Sequence, residues 1–113
     1  MQLIKHIFLA LFFSFVSLLK AQTIFSVEYA SQADVKVFVA EYESQADLKV
    51  FKVDYPSQVK NNEGFWYFAD YQSQSDKTIY FVDYKSQADL VIYFVDYRSQ
   101  AGWRKKTKKH ILY

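Results

Sequence analysis

From Gln22 onward the chain alternates between two textures. Six-residue stretches rich in Val, Ile, Phe and Tyr are each followed by a few residues drawn from Ser, Gln, Ala and Asp. β-Branched and aromatic side chains fit a pleated, packed surface, and short polar residues fit a turn, so the pattern predicts strand then turn. The strands are not cleanly amphipathic. In Ile92, Tyr93, Phe94, Val95, Asp96 and Tyr97, residues of both parities are mostly apolar, which predicts that both faces of a strand meet protein.

The alternation is periodic, with a unit of thirteen residues. Ile24 to Lys36 reads IFSVEYASQADVK, Val37 to Lys49 reads VFVAEYESQADLK, Ile79 to Val91 reads IYFVDYKSQADLV, and Ile92 to Arg104 reads IYFVDYRSQAGWR. Between them, Trp66 to Thr78 keeps the period as WYFADYQSQSDKT. Val50 to Phe65 begins as VFKVDYPSQ and is then extended by Val59, Lys60, Asn61, Asn62, Glu63, Gly64 and Phe65, which read as a longer loop between two halves. So short a unit accommodates one strand of about 6 residues and its connection, not a closed solenoid coil. Self-similarity of this kind makes the repeat, not the single strand, the element to explain.

Three columns of polar residues recur in register. Tyr29, Tyr42, Tyr55, Tyr71, Tyr84 and Tyr97 are each followed two residues later by a serine and then a glutamine, as in Ser44, Gln45 and Ser86, Gln87. Buried phenols, hydroxyls and amides need partners, and a repeated fold supplies the same partner to each copy, so this set is expected to be an internal hydrogen-bonding device. The functional alternative is an aromatic binding stripe. Asp34, Asp47, Asp76 and Asp89 form another column, expected to cap turn N–H groups or to pair with Lys36, Lys49 and Lys85. Calcium binding is the alternative for these carboxylates, because hard oxygen ligands suit that ion.

The segment before Gln22 differs. Lys5 and His6 precede an apolar run from Ile7 to Leu19, with Ala21 just ahead of the change in composition. The run falls short of the ~20 residues that cross a bilayer core, and the pattern is that of a signal peptide over residues 1–21, leaving a single domain over 22–113 for export to the periplasm or the extracellular space. The formal charge of +2 belongs to the whole chain. Without Lys5 and Lys20 the two signs balance, and Arg104, Lys105, Lys106, Lys108 and Lys109 concentrate positive charge in the tail of an otherwise acidic body. That tail is a candidate site for envelope anions, with no nucleic acid expected as partner.

Composition narrows the chemistry. With 51% hydrophobic and 20% aromatic residues, and two glycines in all, the chain is neither disordered nor collagen-like. No cysteine is present, and His110 is the one histidine after the leader, so a zinc site of the usual type and a Ser-His-Asp triad both lack their parts. Gly64 and Gly102 stand apart and form no phosphate loop. Paired carboxylates can hydrolyse glycosides when their environments differ, and a repeat makes environments alike. No residue is therefore assigned a catalytic, metal-binding or cofactor-binding role.

The recurring V-D-Y-x-S-Q-A-D-L unit, closing in Ser99, Gln100, Ala101, Gly102, Trp103 and a lysine-rich tail, resembles the septoil-knot domain family. Tyr42, Ser44, Gln45, Ala46, Asp47 and Leu48 carry the resemblance and recur as Tyr84, Ser86, Gln87, Ala88, Asp89 and Leu90. It implies a small bacterial all-β protein, six repeats plus a C-terminal strand wound into a knot of seven crossings, with no established biochemical activity. The tail from Trp103 to Tyr113 is then expected to dock as a seventh strand. The function expected is that of a non-enzymatic, exported structural or binding domain, acting as a monomer. The alternatives are a fibre subunit and a calcium- or anion-dependent module that binds an envelope component.

Overall fold

The computed structural model describes residues 22–58 and 63–112; the signal-peptide reading of residues 1–21, part of the long loop, and Tyr113 lie outside them. Seven strands form: β1 (Gln22–Ser26), β2 (Val35–Val39), β3 (Leu48–Lys52), β4 (Phe65–Phe68), β5 (Lys77–Phe81), β6 (Leu90–Phe94) and β7 (Gly102–Trp103). The first six are mutually parallel in the order β4, β1, β5, β2, β6, β3, and a further pairing of β3 with β4 closes them into a barrel.

This order explains the thirteen-residue unit. The chain passes over one strand position at almost every step, so β1, β2 and β3 make one turn of the barrel and β4, β5 and β6 make a second turn in the gaps of the first. The exception is the step from β3 to its neighbour β4, where the unit is lengthened and the chain changes from the first turn to the second. Strong stagger makes the connections short. Ser26 at the end of β1 and Val35 at the start of β2 both lie opposite Ile79, so the next strand begins level with the end of the last. A parallel connection ordinarily needs a dozen or more residues to return to the start of the sheet; here the chain winds onward and needs only Val27 to Asp34.

The strands occupy a different part of each unit from the one predicted. The repeat pattern places them at Ile24–Tyr29 and its equivalents; they begin two residues earlier, or one in β4, and end before the acid–tyrosine pair. For β2, β3, β5 and β6 the early start comes from the clip formed by the preceding Asp, described below, which starts pairing at once; the early end lets the chain leave the sheet in time to cross a neighbouring strand.

Inward residues Ile24, Val35, Val37, Leu48, Val50, Trp66, Ile79, Leu90 and Ile92 form the core. At about 25 cal/mol per Å² of apolar surface, this burial is the main drive to fold. Outward residues such as Phe38, Phe51, Tyr80 and Tyr93 are half-covered, as expected for strands apolar on both faces. Where the strands end, Phe68, Phe81 and Phe94 close one mouth of the barrel against the core, with the Lys52 ammonium 4.4 Å from the Phe94 ring centroid. The tail closes the other mouth. After the two-residue β7, antiparallel to β3, Lys106–Leu112 is a 3₁₀ helix, and Leu112, 1% exposed, enters the core. The tail thus docks as expected but mostly as helix, because a plug must cross the mouth of a ring that already has its six strands.

Candidate functional site

Each of the six tyrosines stands immediately before a single 3₁₀ turn on the connection that follows a strand: Ala30–Gln32, Glu43–Gln45, Pro56–Gln58, Gln72–Gln74, Lys85–Gln87 and Arg98–Gln100. Their backbones do the turn's work. The glutamine N–H donates to the tyrosine carbonyl three residues earlier in all six copies, at 3.0–3.1 Å. In two copies the glutamine side chain closes the turn from the other side, Gln58 Oε1 accepting from the N–H groups of Asp54 and Tyr55, and Gln100 Oε1 from that of Tyr97.

The expectation of buried phenols is corrected here. Tyr29, Tyr42, Tyr55, Tyr71, Tyr84 and Tyr97 are 63–68% exposed. They fall outside the strands, on connections that run over the barrel, so their rings point away from the core while their carbonyls hold the turn. Ser44, Gln45, Ser86 and Gln87 are exposed beside them, as are the preceding acids Glu28, Glu41, Asp54, Asp70, Asp83 and Asp96. The result is a belt of six acid–tyrosine pairs, each flanked by a hydroxyl and an amide. Of the two readings of the tyrosine column, the geometry matches the aromatic surface.

The second acidic column is also corrected. Its carboxylates neither cap their own turns nor pair with Lys36, Lys49 or Lys85. Each aspartate precedes a strand and grips the backbone of the strand beside it, which belongs to the other turn of the barrel. Asp34 Oδ2 accepts from Thr78 N–H at 3.0 Å while Asp34 N–H donates to the Thr78 carbonyl at 3.0 Å. Asp47 does the same with Val91 at 2.9 and 2.7 Å, Asp76 with Thr23 at 3.1 and 2.7 Å, and Asp89 with Lys36 at 2.9 and 2.8 Å. The physical reason is positional: a strand that begins level with its neighbour's unpaired edge leaves an N–H there, and a short carboxylate reaches it. Among the described residues no group of three or more His, Asp or Glu converges, so the calcium reading finds no cage.

Position 102 tests this logic. A shift of thirteen residues carries Thr23 and Asp76 to Lys36 and Asp89, then to Lys49 and residue 102, where the sequence has Gly. Gly102 does pair with Lys49, but in an antiparallel bridge and with φ +148°. Glycine adopts that backbone freely, and the chain turns back there instead of starting another parallel strand.

The basic tail serves the fold. Arg104 Nη1 donates to the carbonyls of Glu43, Ser44 and Ala46 at 3.1, 2.7 and 3.2 Å. Lys108 meets the buried Asp47 carboxylate at 3.2 Å, with Lys105 at 3.9 Å, and Lys109 meets Glu63 at 3.2 Å. Lys106 is exposed. Trp103 packs against the core, and His110 Nδ1 lies 2.9 Å from the Thr107 carbonyl within the same helix. The cations expected to receive external anions are therefore largely engaged in fastening the plug.

Sequence reasoning missed a recess of about 430 Å³ on the barrel wall, lined by Ala30, Lys36, Tyr80, Val82, Asp83 and Gln87. Its signal was present as a difference between copies: Ala30 and Glu43 occupy one repeat position. Among the described residues no helix is long and apolar enough to cross a membrane. Residues 21–104 match the family model of the 7(1) septoil knot domain. No curated protein and no solved structure matches the chain.

Proposed function

Because the chain belongs to the septoil knot domain family, we propose that it is an exported, non-enzymatic binding domain whose knotted barrel displays a belt of tyrosines to an extended carbohydrate polymer. The observation that carries this is the exposure of all six column tyrosines, 63–68% each. An aromatic face receives the C–H face of a sugar ring, and its polar end stays wet. The neighbouring carboxylates, glutamines and serines offer acceptors and donors for hydroxyl groups. Repetition matters most: weak contacts at several copies add through effective concentration when the ligand itself repeats.

The closed ring supports this reading over a fibre subunit. Stacking between chains needs a free strand edge, and the six parallel strands satisfy their edges within the barrel. The tail contacts and the absence of a carboxylate cage among the described residues weigh against the anion- and calcium-dependent alternatives.

Electrophoresis of the purified protein through gels carrying soluble polysaccharides tests the proposal. Retardation is expected in at least one polymer and is expected to vanish when Tyr29, Tyr42 and Tyr71 are replaced by Ser. Stability should change by no more than about 0.5 kcal/mol, as for other exposed positions. Equal mobility of the triple variant and the parent in every retarding gel would remove the belt from the binding surface.

A further inference from the structure

The recess on the wall lies at one member of a set of three related places on the barrel. Cross-strand pairing sets Thr23 opposite Tyr67, Lys36 opposite Tyr80, and Lys49 opposite Tyr93, each pair thirteen residues on from the last. The second and third places share nearly every residue: Lys36, Tyr80, Val82, Asp83 and Gln87 correspond to Lys49, Tyr93, Val95, Asp96 and Gln100. They differ at Ala30, whose counterpart is Glu43. There the Glu43 carboxylate takes the Lys49 ammonium at 3.2 Å. Ala30 has no carboxylate to offer, and among the described residues no ion pair involves Lys36. The first place has Thr23 where the other two have a lysine.

The wall site at Lys36 therefore combines an open volume, an ammonium with no ion-pair partner among the described residues, a half-buried aromatic ring, and acceptors in its lining. We propose that this recess binds a uronic acid residue of an acidic polysaccharide. The sugar ring lies on Tyr80 and Val82, its carboxylate meets Lys36 in a charge-assisted hydrogen bond, and its hydroxyls donate to Asp83 and to the Gln87 amide oxygen. Within the chain, Glu43 shows what the cation accepts: a carboxylate delivered over the turn. The ligand supplies that group where Ala30 does not. The carboxylate of Asp83 accepts hydroxyl protons but repels a second anion within the recess, which favours a sugar residue bearing one carboxylate among several hydroxyls over a residue bearing two anionic groups. This inference rests on the same class of ligand as the tyrosine belt and uses none of its six tyrosines, while Asp83 and Gln87 border both surfaces.

Titration calorimetry with oligogalacturonate, a neutral galactan oligomer of equal length, and a glutamate-rich peptide tests it. The uronate oligomer is expected to bind most tightly. Ala30→Glu recreates the Glu43–Lys49 pair and is expected to weaken uronate binding at least tenfold, about the loss of one charge-assisted contact. Lys36→Gln, at an exposed position, gives a second route to the same loss if Ala30→Glu perturbs folding. Unchanged uronate affinity in both variants, or equal affinity for the peptide, overturns the proposal. Retention of the two variants in neutral polysaccharide gels, with uronate binding absent in the parent, would discard the recess and leave the belt standing.

Discussion

Asp47 concentrates the fold's demands on a single side chain. It is 3% exposed, accepts from the Val91 N–H, and receives Lys108 and Lys105, while its carbonyl accepts from the N–H groups of Arg104 and Lys105. Asp89 makes the equivalent backbone clip at an exposed position. Replacing Asp47 by Ala strands a buried N–H and releases the tail's cations, and is expected to cost about 3 kcal/mol in urea denaturation. Asp89→Ala leaves the Lys36 N–H within reach of water and is expected to cost about 1 kcal/mol. Equal losses would show that burial and the tail contribute nothing to the clip. The residue types of these columns were legible from the sequence, but their partners were not: the N–H groups that donate to the carboxylates lie 44 or 53 residues away, on strands of the other turn.

At the scale of elements, periodicity revealed how many strands there are and left their order open. Apolar runs and turn residues repeat identically whether a chain stacks as a solenoid, pairs with its successor, or interleaves two turns. The lengthened third unit marked the exceptional step from β3 to β4, and Gly102 in place of Asp marked the end of winding. Strand limits were misplaced because the apolar–polar boundary in each unit falls at the tyrosine, whose ring is exposed while its backbone is structural. The tail's apolar end was a sound guide to docking, though not to its helical form. Leu112 is fully enclosed, and the Gln22 side chain donates to its carbonyl at 3.2 Å, joining the start of β1 to the plug. Leu112→Ala is expected to lower unfolding free energy by about 2–4 kcal/mol. Stability within about 0.5 kcal/mol of the parent would show that the plug is dispensable.

For the molecule as a whole, stability is a matter of rate as well as depth. Every pairing in the barrel joins distant parts of the chain, apart from the contacts flanking β3 and β4, and non-local parallel pairing forms slowly. A knotted path adds the need to withdraw an end through the structure, and knots are rare among folds. Resistance to unfolding then comes from the barrier, which does for a domain without cysteines what disulfides do elsewhere. Native-state digestion by a broad-specificity protease is expected to remove at most the terminal residues over days. Cleavage within the barrel on the timescale of minutes would contradict a high barrier. Denaturant jumps should show unfolding that is slow relative to the 10⁻⁴ s⁻¹ of an ordinary small domain.

Closure of the ring also constrains ancestry. An open solenoid can gain or lose a unit at its end by unequal recombination and still fold, because each unit touches only its neighbours. Here three strands of one turn fill three gaps of the other, and a single duplicated unit would have no gap to enter. A change of one in copy number, the ordinary mode of change in tandem arrays, does not fit this ring. What the ring does tolerate is visible within the chain itself: units that differ by substitution, as Ala30 differs from Glu43, and one lengthened connection where the count is already broken.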